Sequence, residues 1–321
     1  MAFDQIAGPQ AWKRHGLTPQ DWLVPVPEAA IAELHAAVER LRREPRPPES
    51  LAPGEFELTA CAEVMAAARR KLGEIGLAVV DRVPVERFSV SENRAVGWLL
   101  ASMLGPVVEQ TWKGTRLYDV MDTGQKLGYG VRRSVTDLGQ PFHTDAGWLW
   151  MPPAYVGLFC LESAPEGGMS RFASLVTAHN TLARQTPELL ERLYRPFAWD
   201  RQAEHAPDAP RFARRPVFEH DGAGTLMARW YEDYIHNGHK LADEPLDDPG
   251  REALQAFRDV VDDPGNWIEF RIERGQLQYI NNRQFAHCRT AFKDARDGTQ
   301  RRHLIRIWNR SEGTAKLEGG A

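Results

Sequence analysis

Phe142-His143-Thr144-Asp145-Ala146-Gly147 sets a histidine and an aspartate one residue apart. In an extended strand, side chains two positions apart project to the same side, so His143 and Asp145 converge while Thr144 faces away. An imidazole nitrogen beside a carboxylate oxygen suits a divalent metal of intermediate hardness. A second histidine from elsewhere would complete a facial triad with open positions, the pattern of non-haem Fe(II) sites. Taken alone, such a pair on a loop is more often a hydrogen-bonded surface pair than a metal site. The rest of the chain decides between the two by supplying or lacking the third ligand.

The chain has 321 residues, enough for one large domain or two small ones with a sizeable core. Hydrophobic residues make up 42% and charged residues 26%, an ordinary globular balance. The net charge of −4 and pI of about 6.2 give no basic field to attract nucleic acid or an anionic membrane surface, so neither is expected as a partner. Cys61, Cys160 and Cys288 are far apart and flanked by apolar sequence, which points to buried free thiols in a reducing compartment. Met1-Ala2-Phe3-Asp4-Gln5 carries no basic segment leading into an apolar run, and no window approaches the length of a membrane span. A soluble cytoplasmic protein is expected.

Residues 1–26 read as an irregular arm that packs through Trp12 and Trp22. Residues 27–44 place Ile31, Leu34, Val38 and Leu41 at helical spacing behind Pro27. Pro45, Pro47, Pro48, Pro53 and Gly54 form a linker, so residues 1–55 are expected as an arm, helix and Pro-rich linker, and residues 56–321 as a single catalytic domain. Helices are expected over 59–73 and from Ser91 to Gly105, with helical insertions at 176–195 and 248–262. Short strands are expected at 77–80, 117–121, 154–161, 171–175, 216–219, 225–230, 267–273, 276–280 and 303–309. Many short strands with little βαβ alternation imply a mostly β fold with flanking helices, built on a jelly-roll double sheet. Gly124–Gly130 lacks the ending of a phosphate-binding loop and reads as a plain loop.

The third ligand is found in Asn281-Asn282-Arg283-Gln284-Phe285-Ala286-His287-Cys288-Arg289-Thr290, just after a strand. Further on, Arg302 and Arg306 share one face of the strand around Arg301-Arg302-His303-Leu304-Ile305-Arg306-Ile307-Trp308. Burying a guanidinium without an anion costs several kcal/mol, so that face is either wet or holds an acid. A sheet-edge salt bridge to the protein's own carboxylates is one reading, and a bidentate grip on a substrate or cosubstrate carboxylate is the other. The set His143-x-Asp145, His287, Arg302 and Arg306 resembles the Fe(II)- and 2-oxoglutarate-dependent dioxygenases of the taurine dioxygenase and clavaminate synthase-like superfamily. The likeness extends over the contexts QPFHTDAGW, APEGGMSRFASL, NNRQFAHCRTAF and RRHLIRIWNR.

That resemblance implies a double-stranded β-helix, cupin-like core with His143, Asp145 and His287 as iron ligands. It implies Arg302 as anchor for the remote carboxylate of 2-oxoglutarate, with Arg306 lining that site and Ser170 assisting. Three protein ligands leave three positions on an octahedral iron, two for a bidentate 2-oxo acid and one for dioxygen. The implied reaction oxidises an unactivated C–H of a small polar or carboxylate-bearing molecule and releases succinate and CO2. Asp145 favours hydroxylation over halogenation, since a missing carboxylate would leave room for chloride. Desaturation, cyclisation and epoxidation use the same centre. A zinc hydrolase and a non-catalytic metal-binding jelly roll are rival readings, although neither needs the arginine pair.

Substrate residues are sought in Tyr129–Asp137, where Arg132, Arg133 and Ser134 stand before the metal ligands, and at Arg229 beside Trp230 and Tyr231; exposed arginines are also commonly just solvated. Residues 198–212 read as a loop that closes over the site. Arg289 and Thr290 either orient His287 or pair with sheet neighbours. His179 is read as a helix start, His205, His220, His236 and His239 as exposed polar positions, and His303 as facing away from the arginines. Homo-oligomerisation is compatible with the resemblance, the amino-terminal helix being a candidate surface.

Overall fold

The computed structural model describes residues 3–311 and 313–318. Ten short strands form two sheets: β1 (Leu23–Pro25), β2 (Leu77–Asp81), β3 (Leu117–Val120), β4 (Gln140–His143), β5 (Tyr155–Glu162), β6 (Ser170–Ser174), β7 (Trp267–Phe270), β8 (Leu277–Asn281), β9 (Phe285–Arg289) and β10 (His303–Asn309). The larger sheet runs β1-β2-β8-β5-β10-β3 and the smaller β7-β6-β9-β4. Among these ten strands only β1 and β2 pair in parallel.

Two-residue periodicity assigns each face of the larger sheet. Leu277 and Tyr279 of β8, with Ile305 and Ile307 of β10, join one core with the helices Glu28–Arg43, Thr59–Glu74 and Val90–Ser102. The alternate residues Gln278, Arg306 and Trp308 turn toward the smaller sheet and line the cavities between the two layers. Polar side chains on an otherwise apolar strand are thereby collected in one buried place. The helices Leu175–Gln185, Pro187–Leu193 and Asp248–Asp262 share the core of the smaller sheet, through Leu182, Leu190, Leu193, Leu254 and Phe257.

The first residues are woven into this framework. Trp12 stacks on Phe285 of β9 with ring centroids 5.9 Å apart and donates its indole N–H to the Ile75 carbonyl at 2.9 Å. In the Pro-rich segment Leu51 is buried, and its carbonyl accepts from Trp98 Nε1 at 3.0 Å.

Some boundaries differ from expectation for identifiable reasons. The helix expected from Ser91 is capped by Ser89, whose Oγ accepts from Glu92 N while Glu92 returns a bond to Ser89 N. The insertion expected over 176–195 breaks at Thr186 because Pro187, which cannot continue the first helix, opens the second. The strands expected at 216–219 and 225–230 form a separate small hairpin of Phe218–His220 and Leu226–Ala228. A second hairpin, Phe197–Asp200 with Phe212–Arg215, carries the 201–211 loop. The helix Glu232–Leu241, ten residues long with only Ile235 and Gly238 buried, was not expected. No helix among the described residues is long and apolar enough to cross a membrane.

Candidate active site

Strand register brings the two histidines together. β4 and β9 are antiparallel neighbours with His143 directly opposite His287, and the rings stand 4.2 Å apart between centroids. Strand β4 ends at His143, so Asp145 reaches the same point through a turn and not through the strand alternation expected from sequence. Ala146 takes the left-handed conformation at φ 56° to make that turn. Buried Asn282 clamps it: its Oδ1 accepts from Asp145 N at 2.7 Å, and its Nδ2 donates to the Asp145 carbonyl at 3.0 Å. Thr144 points away as expected, its Oγ1 accepting from Trp230 N at 3.0 Å.

Ligand atoms of His143, Asp145 and His287 lie within 4.8 Å of one another. His143 Nδ1 lies 2.9 Å from the Pro141 carbonyl, which selects the Nδ1–H tautomer and leaves Nε2 as a lone-pair donor, 3.4 Å from Asp145 Oδ1. The other carboxylate oxygen is taken. Asp145 Oδ2 accepts from Trp308 Nε1 at 2.8 Å and pairs with Arg306 Nη1 at 3.2 Å. One imidazole nitrogen and one carboxylate oxygen therefore face the same point, as a metal requires. Burial, then the neighbouring His143 and Arg306, pushes His287 down to about 3 against the pull of Asp145, so its imidazole is neutral and able to ligate. Burial would raise the Asp145 carboxyl, but Arg306 and the histidines hold it well below the usual range, so it stays ionised. A neutral His287 imidazole, the Nε2 of His143 and one carboxylate fit Fe(II).

Beside the triad, a cavity between the sheets is lined by Ser170, His287, Arg289, Arg302 and Arg306. Arg302 is 3% exposed, makes no ion pair among the described residues, and has no hydrogen-bond partner for Nη1. Burial pushes it down to about 10. Arg289 is buried as well; its Nη2 donates to the carbonyls of Thr136 and Leu138, its Nε has no partner, and burial with Arg302 nearby pushes it to about 9. Arg289 thus lines the cavity, whereas Thr290 accepts from Met169 N in the adjoining turn. Arg306 also leaves Nη2 unpartnered. Three buried guanidiniums face this space with Asp145 as the carboxylate lining it. That is a poor arrangement for an empty protein and a good one for a bound dianion.

Of the substrate candidates, Arg132 is buried on the triad's other side, paired with Glu204 at 2.7 Å. Ser134 is buried beside His143 and Asp145 with its Oγ unpartnered. Arg133 lines a wider vestibule, 3.5 Å from Asp233. Arg229 belongs elsewhere: it is fully buried, ion-paired with Glu219 at 2.6 Å, and absent from the lining of these cavities. An arginine next to two aromatic residues reads as binding surface, but here it is a structural ion pair. His179 departs from the other polar histidines in being buried against Phe218, with burial pushing it to about 4. His303 faces away from the arginines and bonds Asp119 at 2.8 Å.

Sequence reasoning missed Gln140, Tyr234, Asn282 and Trp308 at the site, and named Tyr231 only as an aromatic neighbour of Arg229. Gln140 Nε2 lies 2.8 Å from His143 Nε2, and Tyr231 packs 5.0 Å from the His143 ring and 3.9 Å from Tyr234. Trp308 had a readable signal, since it lies two residues beyond Arg306 on the same strand face. Tyr234 had none, because the helix that carries it was not visible. Both tyrosines wall the vestibule, about 470 Å³, with Asp200, Gln202, Asn237 and Lys240 on its sides.

Residues 42–308 match the family described as taurine catabolism dioxygenase TauD, TfdA family, and the chain belongs to that family. It is a 2-oxoglutarate-dependent non-haem iron dioxygenase. Among curated relatives, FR-33289 synthase of Streptomyces rubellomurinus is 27% identical over 310 residues, covering 94% of this chain and 89% of that protein. The taurine hydroxylase-like protein SAT17 of Stachybotrys chartarum is 27% identical over 309 residues, covering 90% and 75%. The fold is shared with asparagine oxygenase, solved with Fe(II), 2S,3S-3-hydroxyasparagine and succinate, at a TM-score of 0.71, 20% identity and coverage of 92% and 94%. It is shared too with the non-heme iron oxygenase OrfP, solved with Fe and alpha-ketoglutaric acid, at 0.65, 15% identity and coverage of 90% and 94%.

Proposed function

We propose that His143, Asp145 and His287 hold Fe(II), that Arg302 anchors the remote carboxylate of 2-oxoglutarate with Ser170 and Arg289 alongside, and that the enzyme hydroxylates a small zwitterionic molecule of amino-acid type. The observation that carries this reading is the set of buried, incompletely partnered guanidiniums beside the two-histidine, one-aspartate triad. With iron and 2-oxoglutarate bound, dioxygen supplies one oxygen atom to succinate and one to the substrate C–H, and the lost carboxyl leaves as CO2.

The protein's own residues supply order. Trp308 and Arg306 hold Asp145 Oδ2, so that Oδ1 alone faces the metal. The Pro141 carbonyl fixes the His143 tautomer. Arg302 offers a charged, desolvated donor in a pocket where a carboxylate repays the burial of the guanidinium. On the open side, Tyr231 and Tyr234 narrow the passage from vestibule to triad, which limits which carbon of a substrate comes near. The vestibule presents both charge signs, Arg133 and Lys240 with Asp200 and Asp233, together with the amides of Gln202 and Asn237, which suits a zwitterion. Substrates of amino-acid type in two structural neighbours support the same class.

Succinate release tests the proposal. Purified enzyme with Fe(II), 2-oxoglutarate and oxygen is offered a panel of amino acids and amino sulfonates, and one or more should raise succinate formation stoichiometrically with a product heavier by one oxygen. Asp145→Ala should abolish both. Succinate formation that no zwitterion stimulates, while an uncharged compound does, would overturn the substrate class.

A further inference from the structure

The loop 201–211 reaches the metal carboxylate through an unbroken polar chain. Glu204, on the loop, pairs through Oε1 with Arg132 Nη2 at 2.7 Å, and the two side chains are only 14% and 9% exposed. Its Oε2 accepts from Trp112 N at 3.1 Å. Arg132 Nη2 also donates to the Gln110 carbonyl at 3.0 Å. Gln110, fully buried, accepts at Oε1 from Arg306 Nε at 2.7 Å and donates from Nε2 to the Arg306 carbonyl at 2.8 Å. Arg306 Nη1 then meets Asp145 Oδ2 at 3.2 Å. The two guanidiniums lie over the Tyr118 ring, at 5.5 Å and 4.9 Å from its centroid.

Charge explains why the chain is not incidental. Arg132 and Arg306 are like-charged neighbours in a buried setting, and Asp145 is the acid paired with Arg306. Glu204 neutralises Arg132 from the loop, so Arg306 is left to Asp145. With the loop lifted, Arg132 becomes an unpaired buried cation beside Arg306, its Nη2 left with the Gln110 carbonyl, and the repulsion between the two guanidiniums is no longer offset. The loop is held in place by local contacts. Gln202 and Ala203 adopt left-handed backbone at φ 52° and 58°, Gln202 is bonded to Asp200 through N and Nε2, and Arg211 lies over the Tyr129 ring. The 201–211 segment is thus seated by side-chain contacts specific to one position.

We propose that Glu204 and Gln110 are positioning residues that couple seating of the 201–211 loop to the orientation of Asp145. This rests on the reading of Asp145 as an iron ligand. Coupling between two sites is reciprocal, so loading the triad must favour the seated loop as much as the seated loop favours the loaded triad. Neither residue touches the reacting atoms. Each acts through Arg306.

Hydrogen–deuterium exchange of amides 201–211 on the whole enzyme, under anaerobic conditions with and without Fe(II) plus 2-oxoglutarate, tests this, with visible absorption recorded on the same samples. In wild type, loading should slow loop exchange at least about fivefold, the part of coupling typical of linked sites. In Glu204→Gln and Gln110→Met the loop should exchange at the same rate loaded or unloaded, and the absorption band of the loaded site should move from its wild-type position. Glu204→Gln lies on the loop and leaves the core intact, so it carries the test if Gln110→Met does not fold. A wild-type enzyme that forms the band but shows no change in loop exchange, or a Glu204→Gln enzyme that responds as wild type does, overturns the coupling. A wild type that forms no band overturns the iron reading on which it rests.

Discussion

Arg302 shows what a single residue contributes to this site and what it takes away from the fold. Its guanidinium is buried with an unpartnered Nη1 and no ion pair among the described residues, so in the absence of an anion it is a burden on stability. Arg302→Met should weaken 2-oxoglutarate binding by about 2–5 kcal/mol, the cost of losing one partner of a buried charge pair. The thermal midpoint of the ligand-free protein should hold or rise, since an apolar side chain of similar length removes the unpaired charge. Isothermal titration and a melting curve on the same preparation check both, and a fall in stability equal to the loss in binding would make Arg302 a structural residue. At this scale much was legible. His143, His287, Arg302 and Arg306 are chemically distinctive residues in apolar surroundings, and such residues announce themselves. Arg229 looked similar in sequence but is satisfied by Glu219, a partner ten residues away that pattern alone does not single out.

The site's geometry belongs to elements, above all to the β4–β9 pairing that sets His143 opposite His287. Strand β9 is held from behind by close packing: Gly76 approaches the Phe285 ring so nearly that an added Cβ would sit 1.9 Å from it, and its φ of +76° is one that side chains resist. Gly76→Ala should therefore destabilise by roughly 2–4 kcal/mol, combining backbone strain with overpacking. Urea unfolding measures the loss, and a change below about 0.5 kcal/mol, the range of ordinary surface substitutions, would show that Phe285 and β9 yield without consequence. Strands and long amphipathic helices were readable here because burial on one face imposes a period. The break at Thr186–Pro187 was written in the proline. The helix Glu232–Leu241 and the hairpin bearing the 201–211 loop were harder to read, because they are short: the helix has ten residues, with Ile235 and Gly238 the buried ones, and each hairpin strand has four. Of the elements walling the vestibule, the 198–212 segment was read as a loop over the site, but its flanking strands and the helix Glu232–Leu241 were not.

In the whole molecule, two sheets share a boundary whose cavity is lined by apolar Val120, Leu158 and Phe172 and by charged Asp145, Arg289, Arg302 and Arg306. The helices on the outer face of the larger sheet leave its inner face free to carry Gln278, Arg306 and Trp308. The smaller sheet contributes both histidines, Ser170 and Arg289. Each layer thereby supplies half of a site that neither could form alone. The central claim is that this boundary holds Fe(II) and 2-oxoglutarate together. Anaerobic titration of the protein with Fe(II) and then 2-oxoglutarate, followed by visible absorption, tests it most directly. One equivalent of iron should bind without colour, and 2-oxoglutarate should then raise a weak charge-transfer band that is missing in Asp145→Ala and requires far more 2-oxoglutarate in Arg302→Met. Iron binding with no response to 2-oxoglutarate, or an undiminished band in Asp145→Ala, would contradict the account.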